Sequence, residues 1–311
     1  MKKYILKRIV YLFVTLLVIM TATFFLMHSL PGTPFDEDKI SSLSPAQQQQ
    51  IYASYGLDQP VYIQYFKYLG NVFQGDFGTS TLYSGQPVKS ILASRIVPSA
   101  LVGIQAVLVG LAVGLVLGVV AAYKHNTPLD YLTMIVSVLG ISVPNFVVAA
   151  LLQYLFGLKW GLLPVAYWES YASSVLPSLA LSFGVVAQIA RFVRTEMLTV
   201  LQQDYMLMAK AKGLSPAKIL MRHALRNSML PVLTILGAIT VNVLTGSLAV
   251  ESIYSVPGIG SLFVDTIKAN DYSTILGLTV FYSAFYVVVI LIIDVLYCVI
   301  DPRIRLAPAK E

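Results

Sequence analysis

Long apolar runs without charge, separated by shorter polar stretches, set the pattern of this chain. Six runs lack Asp, Glu, Lys and Arg altogether: 9–30, 96–123, 131–158, 170–190, 227–250 and 272–293. The shortest has 21 residues, and a helix needs about 20 to cross a hydrocarbon core of roughly 30 Å. A helix satisfies its own backbone groups inside lipid, so the pattern predicts six transmembrane helices. A membrane barrel would instead show alternating segments of about ten residues, and the sequence has none. The fourth run is the least regular, because Pro177 lies near its start.

Composition agrees with the pattern. Hydrophobic residues make up 57% of the 311 and charged residues only 12%, against roughly 45–50% and about 25% in an ordinary globular domain. Too little polar surface remains to cover a soluble globule, and disorder needs the opposite balance. The first run follows Lys2, Lys3, Lys7 and Arg8, as a signal peptide would. It is too long for a signal core, however, and Met27-His28-Ser29-Leu30 offers no small-residue cleavage site, so it is expected to remain as a span. The formal charge of +6 is more consistent with membrane orientation than with nucleic acid. Fifteen Lys and Arg fall on the side of the N-terminus, the 191–226 loop and the C-terminus, and six on the other. The positive-inside rule therefore predicts cytoplasmic termini and a cytoplasmic 191–226 loop. The lone Cys298 excludes an internal disulfide framework.

Two loops exceed mere connections. The outer loop, 31–95, has Ser44-Pro45 as a helix start and Gly56 as a stop, then an aromatic stretch over 60–73. It reads either as a cap packed on the helix ends or as a docking or gating surface. The inner loop begins at 191 as an expected continuation of the fourth span as far as Lys212. Gly213 then stops the helix, and Ser215-Pro216 starts a second one over 217–227. This helix–glycine–helix hairpin mixes Ile219, Leu220 and Leu225 with Lys218, Arg222, His223 and Arg226. Two uses fit it: lying on anionic lipid, or plugging into a soluble partner.

At this hairpin the sequence resembles the membrane subunits of ATP-binding-cassette importers, and among them the oligopeptide/dipeptide permease family. Residues 204–215, reading Asp-Tyr-Met-Leu-Met-Ala-Lys-Ala-Lys-Gly-Leu-Ser, resemble that family's form of the EAA loop. The Glu-Ala-Ala places hold Leu207, Met208 and Ala209, so Ala209 and Gly213 are the matches. The likeness extends over nearly the whole chain. It takes in Leu30-Pro31-Gly32-Thr33-Pro34, Gly75-Asp76-Phe77-Gly78-Thr79-Ser80, Ser142-Val143-Pro144-Asn145-Phe146, Leu176-Pro177-Ser178, Pro257-Gly258-Ile259-Gly260 and Asp301-Pro302-Arg303.

The resemblance implies an all-α, type I importer fold with six transmembrane helices. Its expected parts are a first helix within 1–30, an extracytoplasmic region over 31–95 and a five-helix core over 96–311 with the coupling loop near 191–228. It implies the first permease of a pair, working with a second homologous permease, two cytoplasmic ATPase subunits and an extracytoplasmic peptide-binding protein in a bacterial inner or plasma membrane. The chain has no G-x-x-x-x-G-K-[ST] phosphate loop. It is therefore expected to be non-catalytic and without a cofactor of its own, with ATP and Mg bound by the partners. Ala209, Lys210, Ala211, Lys212, Gly213, Leu214, Ser215, Pro216 and Arg222 are the implied coupling residues. Peptide is the implied cargo; a nickel complex or glutathione is the alternative within the family.

Other polar positions are less decided. Gln105, Ser142, Asn145, Gln153, Gln188, Asn242 and Thr245 lie in apolar runs and either line a path or hydrogen-bond between helices. Ser142 with Asn145, and Asn242 with Thr245, have the spacing of a shared helix face. Ser142, Asn145, Gln188, Asn242 and Thr245 are the path candidates. Asp294 falls at the end of the last run and reads as a boundary residue rather than a proton relay. Gly103, Gly110, Gly114 and Gly118 form a small-residue stripe expected to pack closely, within the chain or against the partner permease. A proton-coupled carrier would need charged relays at mid-membrane and inverted repeats, and a membrane enzyme would need clustered acid, base or metal residues. The sequence has neither.

Overall fold

The structure, a computed structural model, describes residues 2–29, 40–54, 56–83, 85–244 and 248–300. Its helices, in order, are α1 (Lys2–Ser29), α2 (Pro45–Ser54), α3 (Val61–Phe73), α4 (Val88–Tyr123), α5 (Pro128–Ser142), α6 (Asn145–Leu152), α7 (Val175–Leu201), α8 (Asp204–Ala211), α9 (Leu225–Leu244), α10 (Leu248–Tyr254), α11 (Ile259–Lys268) and α12 (Tyr272–Ile300). Among the described residues there is no β-strand, only one bridge pairing Thr79 with Pro87. Four helices are long and apolar enough to cross a membrane, and two bent pairs bring the number of spans to as many as six.

The six-run reading holds with three corrections. The third run does not form one straight span. α5 and the helix that follows it meet at an angle of 102°. Pro144 lacks an N–H and disfavours a helical residue before it, and Val143 is extended at φ −82°, ψ 122°. The break also separates Ser142 from Asn145, which therefore do not share a helix face. The fifth run is likewise bent, by 56° at Met229–Pro231. It is entered through Pro216–Lys218 and a π-helical stretch, Ile219–Ala224, and its last residues belong to the separate helix α10. Finally, the second span starts earlier than its uncharged run: α4 begins at Val88 and continues through Lys89, Arg95 and Pro98.

By contacts the chain divides into two units. The first takes residues within Met1–Val97 and Gly258–Val288. Here α2 starts as predicted. Ser44 Oγ accepts from Gln47 N–H, and the Gln47 side chain accepts from Ser44 N–H at 3.0 Å, a reciprocal cap. Gly56, at φ +70°, ends the turn. α3 packs on α1 through rings: Tyr65 and Tyr68 lie on Phe24, Phe73 lies on Phe13, and Thr21 shares a 2.7 Å hydrogen bond with Tyr65. The Tyr68 hydroxyl is buried, and burial beside Tyr65 pushes its pKa up, so it stays protonated. Asp271 is buried and accepts from Ser80 and Thr274. Val88, Ile91 and Leu92 form a core with Ile259, Leu262 and Leu278.

The second unit, within Pro98–Pro257 and Val289–Glu311, is built around α7. Thirteen residues of α7 are buried, from Leu176 to Met197. The glycine stripe of α4 lies against it. A Cβ at Gly110 would fall 2.4 Å from Val185, at Gly114 2.8 Å from Ile189, and at Gly118 2.7 Å from Ala190 O and Val193. The stripe therefore packs within the chain. Gly140 of α5 approaches Ala187 of the same post in the same way. Replacing Gly114 with Ile is expected to cost about 1–3 kcal/mol by overpacking, read as a lowered thermal midpoint in detergent. Gly70→Ala, in an open helical position, is expected to leave the midpoint unchanged or raise it slightly.

Candidate coupling hairpin and pathway face

The predicted continuation of the fourth span stops short. α7 ends at Leu201, Gln203 is extended at φ −75°, ψ 148°, and α8 begins at Asp204. The turn at Gln202–Gln203 redirects the chain so that Met206 and Ala209 tuck beneath the end of α7, in one core with Val193, Met197, Ile219 and Ala224. A straight continuation would carry these apolar residues away from that core.

Gly213 then closes α8, with φ +73°. Leu214 N–H donates to Ala209 O at 3.3 Å, and Gly213 N–H to Lys210 O at 2.9 Å. Together these make a Schellman closure, with Leu214 packed on the core as its apolar contact. Ser215 stands at the N-cap position of the next helical turn in extended backbone, without a side-chain capping bond, and Pro216 occupies the first position, as the sequence predicts. The hairpin residues divide by direction. Ala209, 7% exposed, faces inward, and Leu214 is half-buried. Lys210, Ala211, Lys212, Gly213, Ser215, Pro216 and Arg222 are exposed. Three apolar side chains that motif reasoning passed over are also exposed: Leu207 at 69%, Met208 at 60% and Met221 at 58%. Their signal was present in the sequence, since Leu207 and Met208 stand between Met206 and Ala209, which share the inward face one turn apart, and so project to the other side of the helix.

One pair of charges ties α5 to α7. Asp130 is buried, its side chain 1% exposed. It accepts from Arg194 Nε at 2.5 Å and from Nη2 at 2.8 Å, a two-pronged clamp, and from the backbone N–H of Asn126 at 3.0 Å. His125 Nδ1 stands 3.0 Å from the same carboxylate. Glu251 is buried in the same unit and accepts from Ser99 at 2.7 Å. Sequence reasoning did not single out the Asp130–Arg194 pair; its trace is one acid and one base at the same predicted end of successive spans.

The polar positions of the apolar runs fall into two groups. Gln105 accepts from Ser178 at 2.7 Å, and Gln153 donates to Val165 O at 2.8 Å and Ile253 O at 2.9 Å. Both hold helices together. Asn145, Gln188 and Asn242 instead converge on an open cavity of about 250 Å³, completed by Leu181, Gly184, Val185, Ile239 and Val243. All three carboxamides are exposed in this chain. Ser142 is exposed but is not part of this lining. Thr245 and the side chain of Asp294 lie outside the described residues.

These features define a helical membrane protein with the fold of ABC importer permeases. The methionine transporter MetNI in an inward-facing conformation matches with a TM-score of 0.59 at 13% identity, covering 70% of this chain and 99% of that one. A histidine-bound amino acid ABC transporter matches at 0.50 and 16% identity, covering 69% of this chain and 94% of that one. The chain belongs to the binding-protein-dependent transport system inner membrane component family. The family's main model matches residues 114–306 and its N-terminal model residues 1–88. Among its relatives, the dipeptide transport system permease DppB of Lactococcus lactis is 44% identical over 306 residues, covering 98% of this chain and all of that one. DppB of Bacillus subtilis is also 44% identical over 306 residues, covering 98% of this chain and 99% of its own. The oligopeptide permease OppB of Escherichia coli K12 is 40% identical over 307 residues, covering 98% of this chain and all of its own.

Removing Arg194 alone leaves the buried Asp130 with Asn126 N–H and His125 but without its arginine, at an expected cost of about 3 kcal/mol, the low end for a broken buried pair. Replacing both by apolar residues of similar size, Asp130→Leu with Arg194→Met, is expected to cost clearly less than Arg194→Ala. Thermal unfolding of the three proteins in detergent measures the difference.

Proposed function

We propose that the chain is the membrane permease of an ATP-driven peptide importer and that the 204–226 hairpin is its contact with the motor. The observation that carries the coupling role is the outward apolar surface of that hairpin. Leu207, Met208 and Met221 are exposed beside Lys210, Lys212 and Arg222. A mixed apolar and cationic knob of this kind suits a groove on a soluble protein.

In this assembly a second homologous permease completes the pathway. Two cytoplasmic ATPase subunits bind ATP and Mg, and an extracytoplasmic binding protein delivers the peptide. The permease contacts lipid, peptide and these proteins, and no nucleic acid. The excess of Lys and Arg on the hairpin side supports an orientation with the hairpin and both termini in the cytoplasm. The names of the dipeptide and oligopeptide relatives support the cargo.

The outward carboxamides support the pathway role. Exposed amides among apolar spans are costly against lipid tails, so Asn145, Gln188 and Asn242 face water or protein. Because Met206 and Ala209 share a core with the end of α7, a push on the hairpin reaches α7 without a flexible joint. Ala209 serves as a spacer under the hairpin rather than as a contact.

Affinity purification of the tagged chain from membranes, with mass spectrometry of its companions, tests this reading. The wild type is expected to bring down a second permease and two ATPases. Leu207→Glu with Met208→Arg is expected to lose the ATPases and keep the permease, because these side chains point outward. A chain that purifies alone, or ATPases retained in the double variant, contradicts the proposal.

A further inference from the structure

The pathway cavity has an unusual lining for a site that handles cargo. Its polar groups are three neutral carboxamides, Asn145, Gln188 and Asn242, and the remaining walls are Leu181, Val185, Ile239, Val243 and the bare backbone of Gly184. Among the described residues, none that carries or gains a charge lines it. Three elements supply the carboxamides: α6 just past the break at Pro144, the middle of α7, and the end of α9. Their convergence is therefore a product of the fold and not of one helix face.

All three side chains are exposed in this chain. Gln188 donates a long 3.3 Å bond from Nε2 to Gly184 O on its own helix. Gly184 makes room for Asn145, whose Oδ1 lies 3.3 Å from where a Cβ would stand. At about 250 Å³ the cavity falls below the roughly 300–1,000 Å³ of sites that enclose a whole small ligand. It is open on the outside rather than enclosing.

A carboxamide presents one acceptor and two donors, the same groups as a peptide unit. Resting on the importer reading above, we propose that Asn145, Gln188 and Asn242 form a carboxamide collar that hydrogen-bonds the main chain of passing peptides and does not distinguish the charge of their side chains. A neutral amide serves either sign: its N–H groups turn to an anion and its oxygen to a cation. A fixed charge would favour one sign and repel the other, and would be felt strongly in a low-dielectric passage.

The carboxamide-to-carboxylate exchange tests this with little change of shape. The full complex, with binding protein and ATPases, is reconstituted into vesicles. ATP-driven uptake of Ala-Lys-Ala and Ala-Glu-Ala is measured at pH 8, with the binding protein saturated by each peptide. Gln188→Glu and Asn242→Asp are each expected to raise the Lys-to-Glu uptake ratio at least about tenfold over wild type, equivalent to about 1.4 kcal/mol of discrimination. Gln188→Leu is expected to slow both peptides alike. An unchanged ratio in both carboxylate variants, with uptake retained, overturns the collar: cargo then passes elsewhere, and the amides bond the second permease. Uptake lost for both peptides in the carboxylate variants but kept in Gln188→Leu overturns it as well. A wild-type complex without ATP-driven uptake of either peptide removes the importer reading itself, an outcome distinct from the other two.

Discussion

A polar side chain on an apolar helix has no water to fall back on, and this constraint orders the second unit around α7. Of the four long apolar helices, the one ending in α7 is the most enclosed, with 67% of its apolar window buried against 11–33% for the others. Gly110, Gly114 and Gly118 bring α4 against it, and Gly140 brings α5 close. Close approach then lets short polar links replace water. Ser178 reaches Gln105, and Arg194 clamps Asp130. The carboxamides of Asn145, Gln188 and Asn242 are exposed instead, and they meet at one cavity.

The same helix supplies the base of the hairpin. Because the chain turns at Gln202–Gln203, the next helix folds under the post instead of extending away from it, and Met206, Ala209 and Ile219 join the core of Val193 and Met197. The Schellman closure at Gly213 holds the tip without help from outside. A knob fixed in this way has one face committed to the chain and one face open. In the proposed importer, the open face belongs to the ATPase, and the committed face transmits its motion to the helix that carries Gln188.

Much of this was legible in the sequence because it depends on local chemistry. The uncharged runs marked the spans. Ser44-Pro45, Gly56, Gly213 and Ser215-Pro216 acted as the helix punctuation they appeared to be. The break at Val143-Pro144 had its signal in the proline, but an apolar run with no charge conceals a bend. The turn at Gln202–Gln203 had no proline or glycine to announce it; it arises because Met206 and Ala209 gain more by returning to the core than by continuing in line. Ala209 therefore points inward although its motif suggests a contact. The partnership of Asp130 with Arg194, and the sorting of Gln105 and Gln153 from Gln188, depend on which helices are neighbours. No spacing along the chain reports that.

The central claim is that outward carboxamides mark a wet face and outward aliphatics a lipid face. Single cysteines at 145, 188 and 242, in a Cys298→Ala background, would be compared with cysteines at the exposed aliphatic positions Leu108 and Val116. Labelling of the assembled complex in membranes by a charged methanethiosulfonate reports water directly. The account predicts rapid labelling of at least the Gln188 position and none at Leu108 or Val116. Equal labelling of both sets, or none at any of the three carboxamide positions, would contradict it.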